Sequence, residues 1–323
     1  MFLILSTIAA SIHVSIMKNK LLKILKSKDD IISGELLCEE LGVSRVSVWK
    51  HIKKLQESGY EIESSSKGYR FISAPDALYP WEFPDRESTI HYFEEIPSTM
   101  ETAKELARKG CPSFTVVIAG RQIKGRGRLK RTWHSDNGGL YFTLVVRPKI
   151  PPSMMSRISF AASLNLARTL REDYGVDAMV KWPNDILVNE KKLSGMLCEM
   201  EVESDMVSFL NIGIGLNVNN DPKEKEPNSV SLKELLGREV PRKEVLCGFL
   251  DRLEKELSKD NLDHIIPEWK KYTLTLNRHV RIVTTNAELE GKAVDVDDSG
   301  ALLLEQADKS IKKVFYGDCF HNE

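Results

Sequence analysis

Apolar positions recur at helical spacing through the first sixty residues. Leu21, Leu22, Ile24 and Leu25 form a stripe over 18–26. Ser33 is a good N-cap for a helix over 34–41, with Glu35 in its first turn and Gly42 to close it. Ser44 caps a third helix, 45–57, in which Val48, Ile52 and Leu55 stand at i, i+4, i+7. Gly59 stops that helix, and 60–63 and 69–72 read as two short strands. The long middle predicts strands at 115–119, 140–146, 179–181, 194–202 and 207–214, and helices at 99–109, 156–174, 242–257 and 262–272. Several strands follow one another directly, which favours an α+β fold with a mixed or antiparallel sheet. After residue 276 the pattern is strand-rich, with 280–284, 289–296, 301–305 and 311–315 separated by turn residues, enough for a small β-barrel.

Punctuation divides the chain. Pro75, Pro80 and Pro84 each remove a backbone donor and discourage helix before them, so 74–89 reads as a linker with some packed aromatics. The expected organisation is an N-terminal module over 17–73, a central domain over 90–275 and a tail over 276–323. Residues 1–16 are apolar but too short to span a bilayer, and they lack the basic start of a signal peptide. The expectation is either that Met17 is the true start or that these residues are a poorly ordered extension, in a cytoplasmic protein that avoids membranes.

Charge changes the picture locally. There are 46 Lys+Arg against 47 Asp+Glu, a net charge of -1, so a basic surface must be confined to particular segments. One is the third helix, where Ser44, Arg45, Ser47, Lys50, His51 and Lys54 present donors opposite much of the apolar stripe. Helix, turn, basic helix and hairpin in that order suit a winged helix-turn-helix reading a major groove, with Lys67 and Arg70 on the hairpin as phosphate contacts. The bland alternative is a solvated basic helix.

The second is Gly120–Ser135, GRQIKGRGRLKRTWHS, with six cations and no acid. Gly125 and Gly127 permit positive φ and close approach of amides to an anion, and the arginines add bidentate donors. It matches neither a P-loop nor a dinucleotide fingerprint; alone, it reads equally as a flexible basic loop. Lys181-Trp182-Pro183-Asn184-Asp185 crowds polar groups at a bend, and Lys192-Leu193-Ser194-Gly195 follows it. Lys181 and Lys192 can reach one pocket from two ends of a hairpin. Gly213-Ile214-Gly215-Leu216-Asn217 lets a flat ring approach a strand end. The five cysteines are scattered without a C-x-x-C pair, and the seven histidines form no H-x-H or H-x₃-H pair. Neither a disulfide framework nor a protein-held metal site is expected.

Gln122 with Gly125-Arg126-Gly127-Arg128 and Trp133, then Lys181 to Asp185, Lys192 to Gly195 and Gly213 to Asn217, resemble biotin protein ligases in identity and order. With the basic helix in front, the chain resembles the bifunctional ligase and operon-repressor members. The resemblance implies a class II synthetase-like central domain and an SH3-like C-terminal barrel. It also implies two steps. Biotin and ATP give biotinyl-5′-adenylate and pyrophosphate, with Mg²⁺ escorting the phosphates; a lysine of a biotin carboxyl carrier protein then takes the biotin. Biotin-binding positions carry over to Ser98, Thr99, Met100 (where members often have Asn), Gln122, Arg126, Gly127, Arg128 and Lys192. Nucleotide-binding positions fall on Arg128, Trp133, Lys181, Asn184 and Asn217. Carboxylate attack on an α-phosphate brings two anions together, so Arg126, Arg128, Lys181 and Lys192 are the expected catalytic cations. Asp185 is expected to orient the incoming amine or help remove its proton. Operator DNA and an adenylate-bound homodimer are implied as well. The alternatives are a sensor-repressor with an inactive ligase domain, a lipoate-type ligase, and a ligase with a vestigial N-terminal module.

Overall fold

The computed structural model describes residues 17–321. The predicted extension over 1–16 lies outside the described residues. The chain divides into two compact units, one up to Tyr92 and one from Phe93.

In the first unit, α1 (17–26), α2 (Gly34–Leu41) and α3 (Arg45–Glu57) precede a hairpin of β1 (Glu61–Ser65) and β2 (Gly68–Ser73). The caps form as the sequence dictates. Ser33 Oγ accepts from Leu36 N–H at 3.1 Å, Ser44 Oγ accepts from Ser47 N–H at 3.3 Å, and Gly42 takes the left-handed conformation that ends α2. Leu21, Leu25, Leu37, Val48, Ile52 and Leu55 close one core. The proline-rich stretch contributes to it: Tyr79 and Trp81 stack at 4.6 Å and pack against that cluster, while Leu78 and Phe83 are buried. Trp81 Nε1 donates to Tyr60 Oη, which donates to Glu82. Aromatic burial thus outweighs the missing proline donors, and 74–89, expected as a linker, belongs structurally to this unit.

From β3 (Ile90–Ile96), in which the division falls, the chain runs through α4 (Thr99–Arg108), β4 (Thr115–Gln122), β5 (Leu140–Val146), α5 (Met155–Tyr174), β6 (Met179–Lys181), β7 (Asp185–Val188), β8 (Lys191–Glu203) and β9 (Met206–Leu216). The helices α6 (Leu232–Leu236), α7 (Arg242–Leu257) and α8 (Ile265–Lys270) follow. One seven-stranded sheet results, in the order β3-β4-β5-β9-β8-β7-β6, antiparallel from β4 to β6. Every residue of β5 is buried, which is why that strand is a continuous apolar run rather than an alternating one. The α8 helix is shorter than the 262–272 expected. Pro267 would clash with the carbonyl four residues back, so the helix begins late enough to hold it in the first turn.

The tail forms β10 (His279–Val283), β11 (Glu288–Val296), β12 (Leu302–Glu305), β13 (Ile311–Val314) and β14 (Asp318–His321), a five-stranded antiparallel sheet of order β13-β12-β11-β10-β14. Trp182 ties it to the central sheet: its backbone N–H donates to Thr275 Oγ1 at 2.9 Å and its indole to Gly300 O at 3.1 Å. Among the described residues no helix is long and apolar enough to cross a membrane.

Candidate active site and nucleic-acid face

A cavity of about 570 Å³ opens in the second unit, where the loop after β4, the β6–β7–β8 turns, the end of β9 and β14 meet. The basic loop is folded, not loose. Trp133 N–H donates to Gly125 O at 2.9 Å and Gly127 N–H to Arg131 O at 2.8 Å. A Cβ on Gly125 would stand 2.2 Å from Trp133 O, so glycine is required there for close approach. The expected positive φ is absent from both glycines; Leu129 adopts it instead, at 48°.

Arg126, Arg128, Lys181 and Lys192, drawn from three separate stretches, all line this cavity, with Asp185 and Asn184 beside them. Each has a carboxylate, amide or ring to hold it. Arg126 bridges Glu101 of α4 and Glu199 of β8, both at 2.5 Å. Arg128 donates to Asn184 Oδ1 at 2.9 Å. Burial pulls the Arg128 guanidinium below its ordinary pKa, opposed by Asp318 and Asp185. Lys192 pairs with Asp185 at 2.9 Å and lies 5.4 Å from the Trp133 ring. Lys181 lies 6.0 Å from the ring of Phe320.

At the other end, Gln122 Oε1 accepts from the Thr99 backbone N–H (2.8 Å) and hydroxyl (3.1 Å), and its Nε2 donates to Ser135 Oγ at 2.9 Å. Ser98 stands outside the cavity lining as N-cap of α4, buried, with its hydroxyl unpartnered among the described residues. Met100 lines the cavity and packs on Gly213, where a Cβ would meet Met100 Sδ at 2.6 Å. The ring that approaches the β9 end is the protein's own: a Cβ on Gly215 of β9 would meet Trp133 Cε2 at 2.2 Å, and one on Gly195 of the neighbouring β8 would meet Cζ3 at 2.9 Å. Trp133 Nε1 is buried without a partner among the described residues. Asn217 is buried and accepts from Asn220 Nδ2 at 3.1 Å.

Three neighbours escape sequence reasoning. Arg131 pairs with Asp318 at 2.6 Å, and Phe320 lies 5.8 Å from the Arg131 guanidinium; all three line the cavity. Asp318 and Phe320 belong to β14, a strand the hydropathy pattern does not announce. The only available signal was the crowding of polar and aromatic residues near the C-terminus.

On α3, Ser44, Arg45, Lys50 and Lys54 are exposed, whereas Ser47 and His51 are half-buried. The solvent-facing arc is therefore rotated from the predicted one, toward Val46, Trp49 and Lys53, all exposed. Arg45 faces Glu35 at 3.8 Å, and on the hairpin Arg70 pairs with Glu63 at 2.7 Å while Lys67 is exposed.

Comparison with known proteins gives three matches along the chain. Residues 18–70 match an HTH domain, 92–219 the Biotin/lipoate A/B protein ligase family, and 275–322 the Biotin protein ligase C terminal domain. The chain is 37% identical to the Bifunctional ligase/repressor BirA of Bacillus subtilis, over 90% of this chain and 94% of that one. To its namesake in Escherichia coli it is 28% identical, over 87% and 90%. Among solved structures, the biotin protein ligase from Aquifex aeolicus in complex with biotin and ATP aligns with a TM-score of 0.61 at 30% identity, covering 72% of this chain and 98% of that one.

Proposed function

Because the chain belongs to the family of bifunctional biotin protein ligases and repressors, we propose that it activates biotin with ATP, transfers it to a protein lysine and represses transcription through its first unit. One observation carries the enzymatic half: cations from distant stretches converge on a single cavity. A biotin carboxylate and an ATP α-phosphate repel each other, and attack adds charge to the phosphoryl oxygens. Arg126, Arg128, Lys181 and Lys192 are the groups we assign to offset both. Thr99 and Gln122 orient the acid at the far end, with Ser98, whose free hydroxyl needs a partner, Met100 and Gly127. Trp133, Asn184 and Asn217 serve the nucleotide.

Asp185, 2.9 Å from Lys192, is placed to position an incoming lysine amine or to take its proton. The acceptor is a biotin carboxyl carrier protein. Water would hydrolyse the mixed anhydride, so the loop from Gly125 to Trp133 shields it. Among the described residues no group of three or more His, Cys, Asp or Glu suits a metal ion. Magnesium held chiefly by the phosphates needs only one or two carboxylates, and Asp136, Asp185, Glu190, Glu226 and Asp318 line the cavity. Magnesium would supply charge neutralisation on the pyrophosphate.

We assign DNA binding to 17–73, ligation to 90–275 and support of the site from beneath the loop to 276–323, in a cytoplasmic protein that dimerises when adenylate is bound. The test is incubation with labelled ATP and biotin, then with lipoate in its place. Pyrophosphate release and a retained adenylate with biotin alone are expected. Release with lipoate alone, or none with either, overturns the reading.

A further inference from the structure

α3 buries Val48, Ile52 and Leu55 in the core of the first unit. At 100° per residue the opposite arc holds, in angular order, Trp49, Lys53, Val46, Lys50 and Lys54. Two apolar side chains therefore stand among three lysines in full view of solvent: Val46 is 61% exposed and Trp49 52% exposed. Neither contributes to the core. Lys53 Nζ sits 5.5 Å from the Trp49 ring, which steadies the indole without covering it. From Arg45 to Gln56 the helix carries no acid. A protein partner for such a face would have to be strongly acidic; a duplex is acidic along both walls of its groove.

We infer that Val46 and Trp49 are sequence-reading residues that pack against thymine methyl groups in the major groove, while Arg45, Lys50, Lys53 and Lys54 hold phosphates or base edges around them. The inference rests on the DNA-binding half of the proposed function and adds to it a base preference. Among the four bases, thymine alone offers an apolar group on the major-groove edge. The apolar pair fits that methyl and gains nothing from a phosphate. Both residues lie in the first half of the helix, two and five positions from its N-cap Ser44, where a recognition helix meets base edges.

The experiment uses the full chain with biotin and ATP present. Duplexes are selected from a random pool by binding, and each thymine of the selected sequence is replaced in turn by deoxyuridine, which lacks only the methyl. At one or two positions the wild type should bind about fourfold more weakly, the equivalent of ~0.8 kcal/mol for one buried methyl group. Trp49→Ala and Val46→Ala should each lose that discrimination at one position, keep wild-type ligation, and keep the wild type's affinity for the deoxyuridine duplex to within a few-fold, which reports that the first unit is still folded. Trp49→Phe should retain part of it. Discrimination unchanged in both alanine variants overturns the inference, as does a change confined to self-association. If the wild type selects no sequence at all, the DNA-binding reading itself fails and takes this inference with it.

Discussion

At the scale of single residues, the cations of the cavity differ in how they are held, and so in what their loss should do. Arg128 is the most desolvated, with its guanidinium drawn below its ordinary pKa by burial, and Asn184 fixes one of its nitrogens. A buried charge-assisted hydrogen bond is worth roughly 1.5–3 kcal/mol. Arg128→Ala should therefore speed loss of the bound adenylate by about 10- to 100-fold and biotinylate bystander lysines; unchanged retention in a filter-binding chase argues against the shielding role. Lys192 is tied to Asp185 at 2.9 Å, and the proposed function assigns it to the developing phosphoryl charge. Lys192→Ala should cut the rate of adenylate formation by about 10²–10³-fold, as removal of one preorganised donor does elsewhere. Full activity in a pyrophosphate-release assay would remove it from the chemistry. These residues were legible in the sequence because each sits in a short, chemically dense motif. Glu101 and Glu199, which hold Arg126, and the Arg131–Asp318 pair beside the same cavity were not, because ion pairs between distant elements leave no local spacing to read.

At the scale of elements, the same division holds. The helices of the first unit could be read to within a residue because caps and the 3.6-residue period agree there. The strands β3, β7 and β14 went unannounced. β7 has four residues, too few for a period. β3 exposes three consecutive positions, Phe93 to Glu95, so its alternation fails. β14 carries Asp318 and His321 where apolar residues are expected; Asp318 lines the cavity, while His321 packs outside its lining against Arg278 and Glu190. Its His321 is held by burial, and by Lys181 and Arg278, at a pKa of about 4 against 6.5 for the free side chain, despite the opposing pull of Glu190. The neutral form is thus the folded one. As pH falls from about 6.5 to about 4 the unfolded chain takes up a proton that the native state refuses, and stability drops by at most about 1.4 kcal/mol per pH unit. His321→Gln should flatten the fall in urea midpoint between pH 7 and pH 5, and a slope equal to that of the wild type would show that the ring does not titrate in this way.

At the scale of the whole molecule, charge is near balance, 46 cations against 47 acids, yet the two proposed activities both require cations. The resolution is spatial. In the second unit Arg126, Arg128 and Lys192 are each tied to a carboxylate or amide beside one cavity, and Arg128 is desolvated by burial, so salt screens this set less than charges with no such partners. On α3 they are exposed, and apart from Arg45 facing Glu35 at 3.8 Å they look out into solvent. Salt should therefore separate the two activities in one protein: DNA binding should weaken steeply as salt rises, whereas adenylate formation should change little. Lys50→Ala should lower affinity for DNA roughly uniformly across sequences and reduce the slope of log affinity against log salt by about one, with the ligation rate unchanged. A parallel loss of both activities would mean that α3 supports the ligase directly, and the division of labour between an exposed arc that meets a polyanion and an enclosed site that makes an anhydride would have to be abandoned.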